Sequence, residues 1–338
     1  MNTINVGLVG FGLSGRYLQA PFYEALPQFK LAKIVTSRPI PKEIFKEATT
    51  ASSVDDLLED NDIELIAICT PNNTHYELTK KCLQAGKHVL VEKPATATLK
   101  EAKELYTIAR EQKKVLCVYQ NRRFDSDFLT CQKLIKGNFL GNIHTYEAHF
   151  HRYKPELNIK GWKEEVSPSS GILYDLGAHL VDQAISLFGK PSSFSGETYT
   201  QRNGSTIDDA FFIQLNYEKL RVRLKSSLLV VSQGPKYEIH GMAGSFHKSG
   251  IDIQEGHLKL GMTPGQSQYG VEPRTDFGDL TTTLNGVSLK AKVTTETGNW
   301  QLLYLNLADS IRNGTPLIIK EEEILTQMEI LESIKNND

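Results

Sequence analysis

The first fifteen residues constrain this chain more than any other part of it. Ile4 to Gly10 (INVGLVG) is an apolar, β-branched run without polar alternation, the pattern of a strand covered on both faces. It leads into Gly10-Phe11-Gly12-Leu13-Ser14-Gly15, a G-x-G-x-x-G spacing at the point where a helix begins, at about Ser14. In that context each glycine has a physical role. Gly10 permits the tight turn, Gly12 lets the backbone approach a pyrophosphate, and Gly15 lets the helix pack closely on the strand. The helix N-terminus supplies free N–H groups and a favourable dipole for the anion. The expectation is a dinucleotide cradle made by Gly10, Gly12, Leu13, Ser14 and Gly15; the alternative is an ordinary glycine turn.

The pattern of the residues up to Asn121 favours the cradle. Strand patterns recur at Leu31 to Thr36, Ile63 to Thr70, His88 to Val91 and Val115 to Tyr119, with amphipathic helices between them. Thr74-His75-Tyr76-Glu77 and Thr98-Leu99-Lys100-Glu101 both carry the spacing of a capping box, and Gly86 supplies a left-handed stop. Repeated β-α-β units predict a doubly wound parallel sheet, a Rossmann domain, over residues 1–121.

After Asn121 the texture changes. A helix (Asp125 to Lys136) precedes an alternating strand (Ile143 to His151), a polar loop and a short helix from about Gly177 to Phe188. Strands then read Phe211 to Leu215, Leu220 to Val231 and Tyr237 to His240. Residues 122–338 are expected to form an α+β domain with a mostly antiparallel sheet. Within it, residues 246–286 read as a long irregular segment, a lid, an arm or an interface. A helix from Trp300 ends at Gly314.

Composition excludes several classes of function. The net charge of −2 offers no attraction to nucleic acid or to an anionic membrane. No stretch approaches the roughly 20 apolar residues of a bilayer span, and Met1-Asn2-Thr3-Ile4 lacks the basic start of a signal peptide. Cys69, Cys82, Cys117 and Cys131 form no C-x-x-C pair and lie in strand and helix patterns, which points to buried free thiols. A cytoplasmic protein is expected. His149 and His151 alternate on a strand and His240 ends one; these read as structural or interfacial, and no metal site is expected.

Cofactor choice is read at the end of the second strand, where an NAD enzyme usually carries an acid for the ribose 2′-hydroxyl. Here stand Thr36-Ser37-Arg38. Ser37 and Arg38 suit a 2′-phosphate, so NADP is expected over NAD; the alternative is a solvated loop arginine. The strand-end loop Thr70-Pro71-Asn72-Asn73 adds expected cofactor contacts.

Two further patterns belong with these. Glu92-Lys93-Pro94 closes the strand from His88, and Gly171-Ile-Leu-Tyr-Asp175-Leu-Gly-Ala-His179-Leu-Val-Asp182 opens the helix of the second half. With the glycine loop, the T-P-N-x-x-H strand end and Asn121-Arg122-Arg123, in that order, the whole chain resembles the Gfo/Idh/MocA family of NAD(P)-dependent sugar and polyol dehydrogenases. Asn121-Arg122-Arg123-Phe124-Asp125 and Gly250-Ile251-Asp252-Ile253-Gln254-Glu255 are similar to its NADP-dependent scyllo-inositol dehydrogenase branch.

The resemblance implies Lys93, Asp175 and His179 as catalytic residues acting on a secondary alcohol of a cyclic polyol or sugar. Physical chemistry is compatible with those roles. Asp175 and His179 are four apart and share a helix face, and a helix N-terminus disfavours imidazolium, leaving His179 able to accept a proton. The Lys93 ammonium can hydrogen-bond the substrate hydroxyl. The plainer alternatives are a surface lysine and a core histidine with a capping aspartate.

The same resemblance adds His75, Glu92, Lys93, Asn121, Arg122 and Trp162 as cofactor contacts, and Arg122 and Tyr174 as substrate contacts. Asn121 and Arg122 equally suit pinning the two domains, and Tyr174 equally suits the core. Trp162 is followed by Lys163 where the family often has Arg. A homodimer or homotetramer through the second-domain sheet is the family's expectation. Two rivals remain open at this point: an NAD-dependent glycosidase of the same fold, and a non-enzymatic NADP-sensing regulator.

Overall fold

The computed structural model describes residues 3–158 and 164–336, and the chain divides into two compact units. The first comprises Met1–Asn121 with Gln254–Tyr269 and Trp300–Leu325; the second comprises Arg122–Ile253, Gly270–Asn299 and Thr326–Asp338. The expected split at residue 121 therefore meets one difference: two later segments, expected in the second domain, belong to the first unit.

The first unit holds strands β1 (Ile4–Val9), β2 (Phe29–Val35), β3 (Thr49–Ala51), β4 (Leu65–Ile68), β5 (His88–Val91) and β6 (Leu116–Val118). All neighbours pair in parallel, in the order β3-β2-β1-β4-β5-β6. The order reverses at β1, and the crevice beyond the strand ends at such a point is where this sheet type binds ligands. Ile4, Val6, Leu8, Leu65, Ile66, Ala67 and Ile68 are fully buried, the reason these strands read as unbroken apolar runs.

Helix Leu99–Glu111 starts with the expected reciprocal cap between Thr98 and Glu101, and Gly86 adopts φ 73° after helix His75–Gln84. The cap expected at Thr74 does not form. Residues Asn72–Thr74 make a tight turn that runs straight into the helix, leaving Thr74 in helical rather than extended backbone. Its hydroxyl donates instead to the Pro71 carbonyl (2.7 Å) and meets the Thr70 hydroxyl (2.6 Å). Helix Val54–Leu58, capped by Ser53 and Asp56, is too short for the sequence pattern to show.

The returning segment Gln301–Asn313 contributes Tyr304, whose ring stacks on Phe22 at 4.5 Å and meets Tyr23 edge-on at 5.4 Å. Tyr304 is fully buried, so this cluster is part of the first unit's core.

The second unit holds β7 (Ile143–His149), β8 (Ser193–Tyr199), β9 (Ala210–Asn216), β10 (Arg221–Ser227), β11 (Tyr237–Gly241), β12 (Gly244–Lys248), β13 (Gly278–Leu284) and β14 (Val287–Val293). They form one sheet, β14-β13-β12-β11-β7-β10-β9-β8, antiparallel except where β10 meets β7. Helices Ser126–Lys136 and Ala178–Phe188 pack on one face, through Phe128 against Tyr237 and Phe188 against Tyr146. The opposite face alternates to Glu147, Glu238, His240 and His247.

Residues 246–286 are more ordered than expected. They contain the end of β12, helix Gln254–Lys259 and all of β13. Asn285 (φ 50°) and Gly286 (φ 80°) turn β13 into β14 with a two-residue loop, the Asn-Gly hairpin signal that the sequence carries. Residues 254–269 belong to the first unit, while buried polar contacts fix Asp252 and Glu272 within the second. The Asp252 carboxylate accepts from the Ser126 N–H (2.7 Å), and Glu272 pairs with Lys248 (2.9 Å) with neither side chain exposed by more than 1%. These two positions are fixed within their own unit, because releasing either carboxylate's partner would strand a buried charge.

Candidate active site

The glycine turn of the first unit has the geometry its spacing predicts. Gly10 sits at φ 92°, its N–H bonded to the Val35 carbonyl at the end of β2, and a Cβ there would lie 2.7 Å from the Cys69 carbonyl oxygen. A Cβ on Gly15 would lie 2.0 Å from the Gly10 oxygen, so only glycine allows helix and strand to approach this closely. A Cβ on Gly12 would meet nothing within 4 Å. The cradle is thus closed behind Gly10 and Gly15 and open in front of Gly12, the shape a pyrophosphate needs. Leu13 is 55% exposed beside it.

The helix after the turn begins with a wide π-type turn over Ser14–Gln19, closed by Ala20 N–H to the Gly15 carbonyl. Ser14 hydrogen-bonds the Glu92 carboxylate through its hydroxyl, and Gln19 donates to the same oxygen (2.8 Å). Glu92 therefore ties the glycine-loop helix to the segment after β5 that carries Lys93.

His75, expected among the cofactor contacts, links two loops in the structure. Its ring is fully buried, with Nδ1 2.7 Å from the Pro94 carbonyl and Nε2 3.0 Å from the Thr70 carbonyl. Burial pulls its pKa below the ordinary imidazole value, against the raising effect of the two carbonyls. The ring braces the loop Thr70-Pro71-Asn72 to the loop Glu92-Lys93-Pro94, both half-exposed to exposed at strand ends apart from buried Pro94. At the end of β2, Ser37 and Arg38 are exposed, and the Thr36 hydroxyl accepts from the Arg38 N–H (2.9 Å), fixing the turn. Asn121, 5% exposed, ends the N-terminal segment of the first unit.

In the second unit, Asp175 and His179 lie on one helical segment that also opens with a wide turn, Leu173–Gly177, closed by Ala178 N–H to the Leu173 carbonyl. Asp175 is exposed, His179 is 6% exposed and Tyr174 is 1% exposed, so Tyr174 sits in the core of its unit. The start of this segment is held by a residue that sequence reasoning missed. Asp208 accepts the Leu173 N–H through its carboxylate (2.8 Å) and the Ile172 N–H through its carbonyl (3.0 Å). Gly171, at φ 95°, makes room: a Cβ there would lie 1.9 Å from the Asp208 carboxylate. No local pattern links residue 208 to 171, which is why the cap was invisible beforehand.

Arg122 is 7% exposed, bonds Asp125 at 3.2 Å and lies over the Phe150 ring. Arg123 makes a two-pronged buried pair with Asp182 (2.7 and 2.6 Å), anchoring helix Ala178–Phe188 to the segment Asn121–Phe124. Trp162 lies outside the described residues. All four cysteines are free; Cys82, Cys117 and Cys131 are buried and Cys69 is intermediate. No described helix is long and apolar enough to cross a membrane.

Comparisons with known proteins agree with this architecture. Residues 4–120 match the profile of the oxidoreductase family's NAD-binding Rossmann fold, and residues 132–338 that of its C-terminal alpha/beta domain. The chain is 38% identical to the scyllo-inositol 2-dehydrogenase (NADP(+)) IolW of Bacillus subtilis, over 98% of this chain and 93% of that one. It is also 38% identical to the oxidoreductase YhhX of Escherichia coli, over 97% and 95% of the two chains. Among solved structures, that of yvaA from Bacillus subtilis superposes with a TM-score of 0.94 at 37% identity, covering 99% of this chain and 96% of that one. The chain belongs to the Gfo/Idh/MocA oxidoreductase family.

Proposed function

We propose that this oxidoreductase transfers a hydride between NADP(H) and a secondary alcohol of a cyclic polyol or sugar of the inositol type. The observation that carries the reading is the glycine turn, closed behind Gly10 and Gly15 and open before Gly12. The exposed Ser37-Arg38 pair supports NADP, since a guanidinium beside a hydroxyl suits a 2′-phosphate and no carboxylate stands there to repel it. Similarity to IolW along nearly the whole chain supports both the cofactor and the substrate class.

NADP⁺ held at the glycine turn would supply the hydride acceptor. The Lys93 ammonium hydrogen-bonds the reacting hydroxyl and stabilises the charge that grows on its oxygen as the C–H bond breaks. His179 takes the hydroxyl proton, so that one alcohol and one NADP⁺ give one ketone, one NADPH and one proton. Asp175 orients the histidine and the substrate. Arg122, Asn72 and Trp162 complete the proposed contacts, with subunits paired as homodimers or homotetramers. Four unpaired thiols fit a reducing compartment, the cytosol.

The test is net reduction of NADP⁺ with a panel of inositols and aldoses, run beside NAD⁺. NADPH formation with a cyclic polyol is expected. Glycoside cleavage without net reduction would make the protein a redox-neutral glycosidase instead, and tight NADP binding without turnover on any substrate would make it a sensor.

A further inference from the structure

On the sheet face of the second unit opposite its helices, two adjacent strands assemble a set of donors that the redox chemistry does not use. β11 and β12 pair with Glu238 opposite His247, Ile239 opposite Phe246 and His240 opposite Ser245. Ile239 and Phe246 are fully buried on the helix-covered face, so the register sends Glu238, His240 and His247 to the other one. There the two imidazole rings lie 5.4 Å apart, and His247 Nε2 is 3.9 Å from Glu238 Oε2. One ligand atom from each residue falls within 4.8 Å of the other two.

We propose that Glu238, His240 and His247 bind a single zinc ion or a similar borderline divalent transition metal, cross-linking β11 to β12. Two imidazoles and one carboxylate are the donor chemistry of such ions, whereas magnesium and calcium favour oxygen alone. Tetrahedral zinc with bonds of about 2.0–2.1 Å holds its ligand atoms about 3.4 Å apart, so modest side-chain rotations close the set. All three side chains are half-exposed within the single chain.

Two neighbouring contacts favour binding. His240 Nδ1 is 2.8 Å from the Ser245 hydroxyl, which fixes the ring and leaves Nε2 as the ligand atom. The nearby carboxylates are already engaged: Glu147, opposite Glu238 on β7, pairs with Arg223 (2.9 Å) and Lys225 (3.1 Å), and Asp279, opposite His247 on β13, pairs with Lys292 (2.9 Å). Among the described residues no lysine or arginine reaches Glu238, so its charge is available to an ion. With three protein ligands, water fills the remaining positions.

The test uses full-length protein freed of any affinity tag and dialysed against chelator. Zinc is titrated by calorimetry, and cobalt is added as a spectroscopic probe whose visible absorption reports imidazole ligation. One ion per chain with micromolar or tighter affinity is expected. His240→Ala and His247→Ala should each weaken it more than tenfold, and Ser245→Ala by about tenfold. His149→Ala, on the same face but outside the set, should leave it unchanged. Circular dichroism establishes that each variant is folded, and the wild-type cobalt spectrum stands independently of the variants. Millimolar affinity, a cobalt spectrum of the hydrated ion, or binding indifferent to His240 and His247 overturns the proposal.

Discussion

Gly12 and Gly15 belong to one sequence motif, yet the structure gives them opposite physics, and a pair of alanine variants separates them. At Gly15 the new methyl would sit 2.0 Å from the Gly10 oxygen and 3.3 Å from Cys69 Cβ, where ordinary contact begins at 3.4 Å. The helix start must therefore retreat by more than an ångström. Gly10 cannot yield in its place, since its N–H is bonded to β2 and its own Cβ position is occupied. Overpacking of this kind costs about 1–3 kcal/mol. In a domain of this size each kcal/mol lowers Tm by roughly 2–4 °C. At Gly12 the methyl would meet nothing, so Gly12→Ala should keep or slightly raise Tm, by up to about 1 kcal/mol through a stiffer unfolded chain. The same methyl would intrude where the pyrophosphate must lie, and NADPH affinity should fall at least tenfold, about 1.4 kcal/mol. Thermal melts without cofactor and NADPH fluorescence titrations read the two effects. Gly15→Ala should lose stability and binding together; Gly12→Ala should lose binding alone. A Gly12→Ala protein that melts early, or binds NADPH like the wild type, would refute the reasoning.

The geometry of the remaining residues sets other outcomes. Lys93→Ala and His179→Ala should each lower kcat by about 10²–10⁴-fold in single-turnover assays, with NADP affinity nearly unchanged and the double variant losing far less than the product. Normal rates in both would remove them from the chemistry. Arg38→Ala should weaken NADP binding by about ten- to a hundredfold and spare NAD, as competitive titrations with the two cofactors would show. His88 accepts the Val115 N–H at Nδ1 (2.9 Å), and burial, followed by Lys114, lowers its pKa to about 4. The unfolded chain protonates this ring first as pH falls below 6.5, so stability should decline from there toward pH 4. His88→Gln, which cannot take up the proton, should flatten that part of a denaturation-versus-pH curve; an identical slope in both proteins would count against it.

Much of the fold was legible because period and punctuation agreed. The strands β1 and β5 announced themselves as apolar runs, and Thr98 with Glu101 marked a helix start that forms as read. Thr74 with Glu77 shows the limit of the same signal: a turn before the helix removed the extended backbone that a cap requires. β13 was hidden by its threonines and β14 by being exposed along nearly its whole length, so neither carries a buried apolar run, although Asn285-Gly286 marked their turn. Within the site, the glycine loop was readable from sequence, since its constraints are local. The bracing by His75, the Asp208 cap and the grouping of His240 with His247 were not. Each depends on which strand or loop lies beside which, and spacing along a chain carries no record of that.

The cluster around Tyr304 has a consequence for how the protein is made. All six strands of the parallel sheet leave the ribosome within the first third or so of synthesis, but the ring that stacks on Phe22 and abuts Tyr23 arrives close to the end. Until then the nascent first unit carries an uncovered aromatic face, a natural handhold for chaperones and a liability for aggregation. A gene fragment ending at Asn121 would keep that face permanently bare. Exchange of dinucleotide domains between such proteins by a single cut at that point would therefore part Phe22 and Tyr23 from the tyrosine that covers them.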